Sequence, residues 1–357
     1  MKIRRFAWRD FRNLAAGEIL PCETVNVVWG GNAQGKTNLL EGMWLFTGER
    51  SFRGAKDAEM VRSGQSQSIL QLDFFGGGRD QTSKIRISEG RRTAMLNGIP
   101  KRSCSALIGE FRAAVFSPEH LALLSGGPFR RRNFLDAAIC QLKPAYAAVF
   151  TEYGKALAQR NALLKEIPRH SELLDTLDIW DERLVKSGTA VMRARKKYAD
   201  SLEPPAARFY GGMCGGRETL KIRYEESAPD LAGALKAGRR EDLISGHTGK
   251  GPHRDDLAVK ISGMDARAYA SQGQKRSAVI ALKLGEAELL SRWTEERPVV
   301  FLDDVLSELD GERQNYILNR LKDFQVFITC CGPEKTRPIA GGSMFHMEHG
   351  VPVEEAL

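Results

Sequence analysis

The stretch "VNVVWGGNAQGKTNLLE", Val25–Glu41, decides how this chain is to be read. A short apolar run enters a glycine-bounded loop, which passes through Lys36 and Thr37 into a segment of helical apolar spacing. Gly30, Gly31, Asn32, Ala33, Gln34, Gly35, Lys36 and Thr37 fit G-x-x-x-x-G-K-[ST], a loop that cradles nucleotide phosphates. Glycines let backbone N–H groups face an anion without Cβ interference, and the next helix aims its positive end at the same charge. Lys36 is expected to bridge the β- and γ-phosphates and Thr37 to ligate Mg²⁺. The bland alternative is a chance loop in a glycine-rich chain. A buried-type strand before it and an amphipathic helix after it argue against that. The motif specifies a nucleoside triphosphate and leaves the reaction open.

Working outward, 357 residues suffice for a large core and two lobes. Hydrophobic residues are 42% and charged residues 27%, an ordinary globular composition. The formal net charge of +8 suits a polyanionic partner, although a solvated basic face gives the same count. The start "MKIRRFAWRDFRN" has no signal-type apolar core, and no stretch approaches the ~20 apolar residues of a membrane span. The six cysteines form no CxxC pair and read as reduced cytosolic thiols, with Cys330 and Cys331 both expected to be buried.

Three zones follow. Residues 1 to about 117 are strand-rich, with "VNVVW", "SILQLDFF" and "SKIRIS" separated by glycine-rich or charged turns. From about 129 to 210 the period is helical: Leu135, Ala138, Ile139 and Leu142 share a face, as do Leu173, Leu177, Trp180 and Leu184. Pro144, Pro168 and Pro204–Pro205 are expected to break this zone into several helices. The last zone returns to α/β character, with "PVVFLDD" and "QVFITCC" as buried parallel strands and Ala278, Leu282, Gly285 and Leu289 on one helix face. Residues 1–118 and 215–357 are therefore expected to form one α/β lobe, with a mainly helical lobe at 119–214 inserted.

Two further motifs carry chemistry. The strand ending "VVFLDDVLSELD" presents Asp303 for a metal's shell, and Asp304 is positioned to orient the attacking water. Taken alone these are also ordinary acidic turn residues. The turn "YASQGQKR" opens a helix, so Ser271, Gly273 and the first amides can bind an anion; the plain alternative is a serine N-cap.

Phosphate loop, serine turn before a helix, "FLDD" strand end and "SELD", in this order, resemble the ATP-binding-cassette ATPases of the chromosome-maintenance and repair branch. Within that branch the chain resembles the RecF family. The blocks "FRN" (Phe11–Asn13), "GKTNLLE" (Gly35–Glu41), "SFR" (Ser51–Arg53), "SPEHLALLSGGPFRRRNFLD" (Ser117–Asp136), "GPHRDDL" (Gly251–Leu257) and "SQGQKR" (Ser271–Arg276) carry it. The resemblance implies an ABC-ATPase head with ATP and Mg²⁺, Lys36 and Asp304 serving hydrolysis and Thr37 and Asp303 the metal. It implies a homodimer with each ATP between Gly30–Thr37 of one copy and the signature Ser271, Gln272, Gly273 and Gln274 of the other. Ser307, Glu308 and Asp310 would form the D-loop at that interface. It further implies binding of double-stranded DNA and single/double-strand junctions, RecR with RecO as partners, and help to RecA in repair, recombination, replication restart and the SOS response. The expected location is the cytoplasm at the nucleoid, with no membrane role.

Against the family pattern, Asp304 replaces the glutamate common in transporter cassettes, so its shorter carboxylate implies slow turnover. Thr329 stands where those cassettes often place a histidine, and Pro118 and Glu119 occupy the glutamine-loop region. Arg130, Arg131 and Arg132 open a helix against its dipole, which points to an anionic contact, DNA or a dimer surface. The run Arg193–Lys197 reads as a solvated face, and the default reading of His253 and Arg254 is an inter-strand structural role. A transporter ATPase would share the cassette motifs but not "SQGQ" or "GPHRDDL"; a small-molecule kinase would not need the serine turn.

Overall fold

The computed structural model describes residues 1–332 and 342–354. In chain order the elements begin with β1 (Lys2–Phe11), β2 (Leu14–Ile19), β3 (Val25–Trp29), α1 (Lys36–Trp44), β4 (Gln67–Gly76), β5 (Arg79–Ser88), β6 (Arg91–Leu96), β7 (Ile99–Lys101) and β8 (Ala113–Phe116). Next come α2 (Ala122–Ser125), α3 (Pro128–Leu142), α4 (Pro144–Glu166), α5 (Leu174–Met213), β9 (Leu220–Glu225), α6 (Leu231–Ser245), β10 (Asp256–Ile261), β11 (Met264–Asp265) and α7 (Ala266–Tyr269). Last are α8 (Gln272–Thr294), β12 (Val299–Asp303), α9 (Gly311–Arg320), β13 (Val326–Cys330), β14 (Ser343–Glu348) and β15 (Val351–Glu354).

Two compact units result: Met1–Leu121 with Phe209–Arg217 and Arg276–Leu357, and Ala122–Arg208 with Glu218–Lys275. This division differs from the 119–214 insert expected from the sequence, because Glu218–Lys275 goes with the helices. The reason is local pairing. Strands β9 and β10 form a sheet with each other, and β10 packs on α3.

In the first unit a six-stranded sheet runs β15-β14-β3-β13-β12-β8. Strands β14, β3, β13, β12 and β8 are parallel, and β12 and β13 are buried at every position. That burial is what their unbroken apolar runs require. A second, antiparallel sheet runs β2-β1-β4-β5-β6-β7, with β4 alternating buried and half-buried residues. The core contains Phe6, Phe11, Leu70 and Leu72 of the antiparallel sheet, Leu39, Leu40 and Met43 of α1, and Phe301 and Phe327 of the parallel one.

The second unit holds α3, α4, most of α5, α6 and the antiparallel sheet β11-β10-β9. One expectation fails here. Pro204 and Pro205 lie inside α5, a helix of 40 residues. Pro204 is exposed, as is Asp200, whose carbonyl loses its donor and can bond water instead. Around them Tyr198, Leu202, Ala206 and Tyr210 are buried, and that packing outweighs the missing bonds.

Candidate nucleotide-binding site

Each motif is built by the end of an element. Strand β3 is pinned between β13 and β14, and the loop begins where it leaves the sheet at Gly30. Gly30 has φ 149°, and a Cβ there would meet the Met347 carbonyl oxygen at 2.4 Å. Gly35 has φ 98°, and a Cβ would meet Leu14 Cδ2 at 2.5 Å. Only glycine fits either place. Between them Ala33 adopts φ 63°, a left-handed conformation that costs a non-glycine residue about 1–2 kcal/mol.

Lys36 is 9% exposed, and its ammonium donates to the Gly30 and Gly31 carbonyls at 2.8 and 2.7 Å. These bonds curl the loop around the cation. The Thr37 hydroxyl donates to Asp303 Oδ1 at 2.9 Å. Thr329 donates to the same oxygen at 2.8 Å, because Asp303 and Thr329 are register partners on β12 and β13. Asp303 is 3% exposed, and burial raises its pKa above 3.8, with the two hydroxyl bonds opposing the rise. Thr37 and Asp303 thus offer hard oxygen donors on one spot, the ligand type that suits Mg²⁺.

Asp304 takes φ 52°, a turn that lifts its side chain out of the strand's alternation. Ser307 donates to its carboxylate at 2.8 Å and to its carbonyl at 2.9 Å. Asp310 caps α9, accepting from the Arg313 N–H at 2.9 Å. The Glu308 side chain lies outside the described residues.

The serine turn belongs to the second unit. Ser271 Oγ accepts from the Gln274 N–H at 3.2 Å, and Gln274 Oε1 accepts from the Ser271 N–H at 2.8 Å, a reciprocal cap of α8. Ser271, Gln272 and Gly273 are exposed, and Gln274 also donates to Glu218 at 2.7 Å. Ser271 is thus an N-cap, and the helix start it caps is open to solvent.

The basic segments divide differently from expectation. Arg131 is 4% exposed, pairs with both Asp256 oxygens at 2.6 and 2.8 Å and donates to the Leu123 and Gly126 carbonyls. Arg132 donates to the Asp255 carbonyl at 2.7 Å. Of the three, Arg130 alone is exposed. The run Arg193–Lys197 is likewise not all solvated: Arg195 is 2% exposed and grips Asp136 with two bonds of 2.8 Å. A partner from elsewhere in the chain decides each case, a carboxylate for Arg131 and Arg195 and a backbone carbonyl for Arg132, and no local spacing reports it. His253 is held by Tyr153 at 2.6 Å and the Thr248 carbonyl at 2.9 Å, structural as expected but tied to a helix and a loop rather than between strands. Cys330 is buried but Cys331 is exposed, its thiol donating to Asn32 of the phosphate loop at 3.2 Å. No helix among the described residues is long and apolar enough to cross a membrane.

Sequence reading missed what "FRN" and "SFR" do. Asn13 donates to the Ala33 carbonyl at 2.8 Å, and Arg53 reaches Asn38 of α1 at 2.8 Å. Their closeness to the loop in the linear sequence was the available signal.

Comparison with known proteins follows the same lines. The chain is 38% identical over 335 residues to the DNA replication and repair protein RecF of Agathobacter rectalis, covering 93% of this chain and 92% of that protein. It is 38% identical over 332 residues to the protein of that name from Lachnospira eligens, covering 92% of each. A solved structure of the recombination mediator protein RecF-ATP in the RecFOR pathway matches with TM-score 0.92 at 34% identity, over 99% of this chain and 98% of that one. The Smc head domain of Pyrococcus furiosus, at TM-score 0.58 and 14% identity over 100% of this chain and 96% of that one, shares the fold. No family model matches. The fold is that of an ABC-ATPase head, mixed α/β with a helical region, as the motifs implied.

Proposed function

The chain belongs to the RecF family of DNA replication and repair proteins, and from that premise we propose that it is an ATP-gated homodimer that closes on duplex DNA. The observation that carries this reading is Asp303 Oδ1, which accepts from Thr37 of the phosphate loop and from Thr329 of the next strand. Lys36 and the loop amides would hold the triphosphate, and Thr37 and Asp303 would hold Mg²⁺, which would supply charge neutralisation to the phosphates. Asp304 orients the attacking water. Its carboxylate, one methylene shorter than glutamate's, makes hydrolysis slow.

Ser271–Gln274 serves the ATP of a second copy, with the D-loop residues Ser307 and Asp310 at the same interface. The exposed, self-capped start of α8 supports this, since its outermost residues are open to an anion brought by another molecule. ATP then acts by population shift, favouring the closed dimer by its differential affinity for it. Hydrolysis releases the DNA.

The DNA surface is assigned to cations left free by the fold. On the outer face of the antiparallel sheet Arg9 and Arg86 flank Ile69 in one cross-strand row, Lys84 stands beside Gln71, and Arg91 beside Ser88. All four cations are exposed, and among the described residues none has an ion pair. Glu18 and Asp73 on that face are engaged by Arg5. Such a face reads phosphate rather than sequence. It suits a protein that finds duplex beside single-strand gaps and promotes RecA assembly there in repair and replication restart. The RecFOR pathway of the solved relative supports RecR and RecO as partners.

Light scattering with ATP and Mg²⁺ tests the shared site. Wild type is expected to dimerise, and Lys36→Met and Ser271→Ala to stay monomeric, the latter still binding nucleotide. A Ser271→Ala protein that dimerises normally would sink the model.

A further inference from the structure

Asn13 of "FRN", Asn38 of "GKTNLLE" and Arg53 of "SFR" meet beside the phosphate loop. Asn13 sits in the two-residue turn between β1 and β2, after Arg12 at φ 56°. Its amide nitrogen donates to the Ala33 carbonyl at 2.8 Å, and its amide oxygen accepts from Asn38 Nδ2 at 2.7 Å. Asn38 Oδ1 accepts from Arg53 Nη1 at 2.8 Å. The turn itself is fixed beside this chain of bonds. Arg12 grips Glu41, a side chain with no exposure, at 3.0 and 2.8 Å, and Ser51 donates to the same carboxylate. Every amide group in the relay has a defined direction because both of its neighbours are fixed.

We propose that Asn13 is a positioning residue for the phosphate loop, oriented by Asn38, and that it sets affinity for the nucleotide through the Ala33–Gln34 peptide. A trans peptide holds its C=O and N–H antiparallel in one plane. Fixing the Ala33 carbonyl on Asn13 therefore turns the Gln34 N–H away from Asn13, as a donor for the anion side of the loop. Ala33 stands at φ 63°, a conformation an unrestrained alanine leaves readily. Without Asn13 the peptide is free to rotate, and binding must first reorder it. The contact is close on a second count: a Cβ on Gly35 would lie 2.8 Å from Asn13 Oδ1, so the turn and the loop leave no slack. From the far side the His349 N–H donates to Gln34 Oε1 at 2.6 Å, which leaves the intervening peptide as the unit that Asn13 controls.

This inference rests on reading the loop as an ATP site, and one titration separates the two. Binding of a fluorescent ATP analogue with Mg²⁺ is measured for wild type, Asn13→Ala, Asn13→Asp, Asn38→Ala and the Asn13→Ala/Asn38→Ala double variant, with melting of each nucleotide-free protein. If wild type fails to bind, the ATP reading falls. If wild type binds, Asn13→Ala is expected to bind about fivefold more weakly, the loss of one neutral hydrogen bond. Its melting temperature should stay within about 2 °C, because the side chain is exposed in a turn. Asn13→Asp still accepts from Asn38 but cannot donate to Ala33, and should bind more weakly than Asn13→Ala. The double variant should bind no worse than Asn13→Ala, since Asn38 acts only through Asn13. Unchanged affinity in Asn13→Ala overturns the proposal. So does affinity lost only together with a fall in melting temperature above about 5 °C, or an additive double variant.

Discussion

Thr329 Oγ1 donates to Asp303 Oδ1 at 2.8 Å and accepts the backbone N–H of Asp304 at 2.8 Å. One hydroxyl therefore uses both its donor and its acceptor to tie the Asp303 carboxylate to the backbone of Asp304. Where transporter cassettes often carry a histidine, this chain has a group that fixes geometry and holds no titratable proton. Replacing Thr329 with valine keeps the volume and removes both bonds. ATP hydrolysis should fall about tenfold or more while nucleotide binding persists, and serine should restore it. Steady-state hydrolysis beside equilibrium binding checks this; equal turnover in the valine variant would exclude a role for the bridge.

Asp304→Asn tests the water-orienting carboxylate without a packing change. Asparagine tolerates the left-handed φ of 52° as well as aspartate does, and can still accept from Ser307. Hydrolysis is expected to drop at least about 100-fold, with ATP-dependent dimerisation retained and prolonged. Loss of dimerisation in this variant would place Asp304 in binding instead.

The arginines separate by role. Arg131→Ala removes an inner ion pair and two carbonyl bonds, and should cost about 2–3 kcal/mol in urea unfolding, discounted because Asp256 is partly exposed. Lys84→Gln and Arg86→Gln should leave stability unchanged and weaken duplex binding at every sequence. Each should lower the slope of log affinity against log salt by about 1. Slopes identical to wild type would remove the sheet face from the DNA path.

Asp303 gives a pH signature. Burial raises its pKa above 3.8, so the folded state disfavours its charge relative to the unfolded chain. That penalty is present at neutral pH and disappears as pH falls through the raised value. Asp303→Asn should accordingly melt about 1–3 °C above wild type at pH 7 without nucleotide, and the gap should close toward acid pH. In wild type, protonation over the same range should weaken Mg²⁺-dependent nucleotide binding. A nucleotide-free Asp303→Asn protein that melts below wild type contradicts the burial argument.

The phosphate loop, the carboxylate strand and the serine turn were legible because each is a local pattern: glycines where φ is positive, an apolar run ending in acids, a cap before a helix. The helical zone was legible in kind but not in extent. Pro204 and Pro205 signal a break by local rules, and α5 passes through them because burial of Tyr198, Leu202 and Ala206 outweighs two missing bonds. The assignment of Glu218–Lys275 failed because strand pairing between β9 and β10, and packing of β10 on α3, leave no mark in either segment alone.

Sequence by itself determined the class of ligand and the fold of the head, since backbone conformations that only glycine allows and unbroken apolar strands are properties of short stretches. Tertiary structure alone decided which charges are free. Arg131 and Arg195 found carboxylates far along the chain, whereas Lys84 and Arg86 did not. It also decided that Asn13, Asn38 and Thr329 would support the site, because a hydrogen bond needs its partner within about 3 Å, a distance sequence separation does not measure.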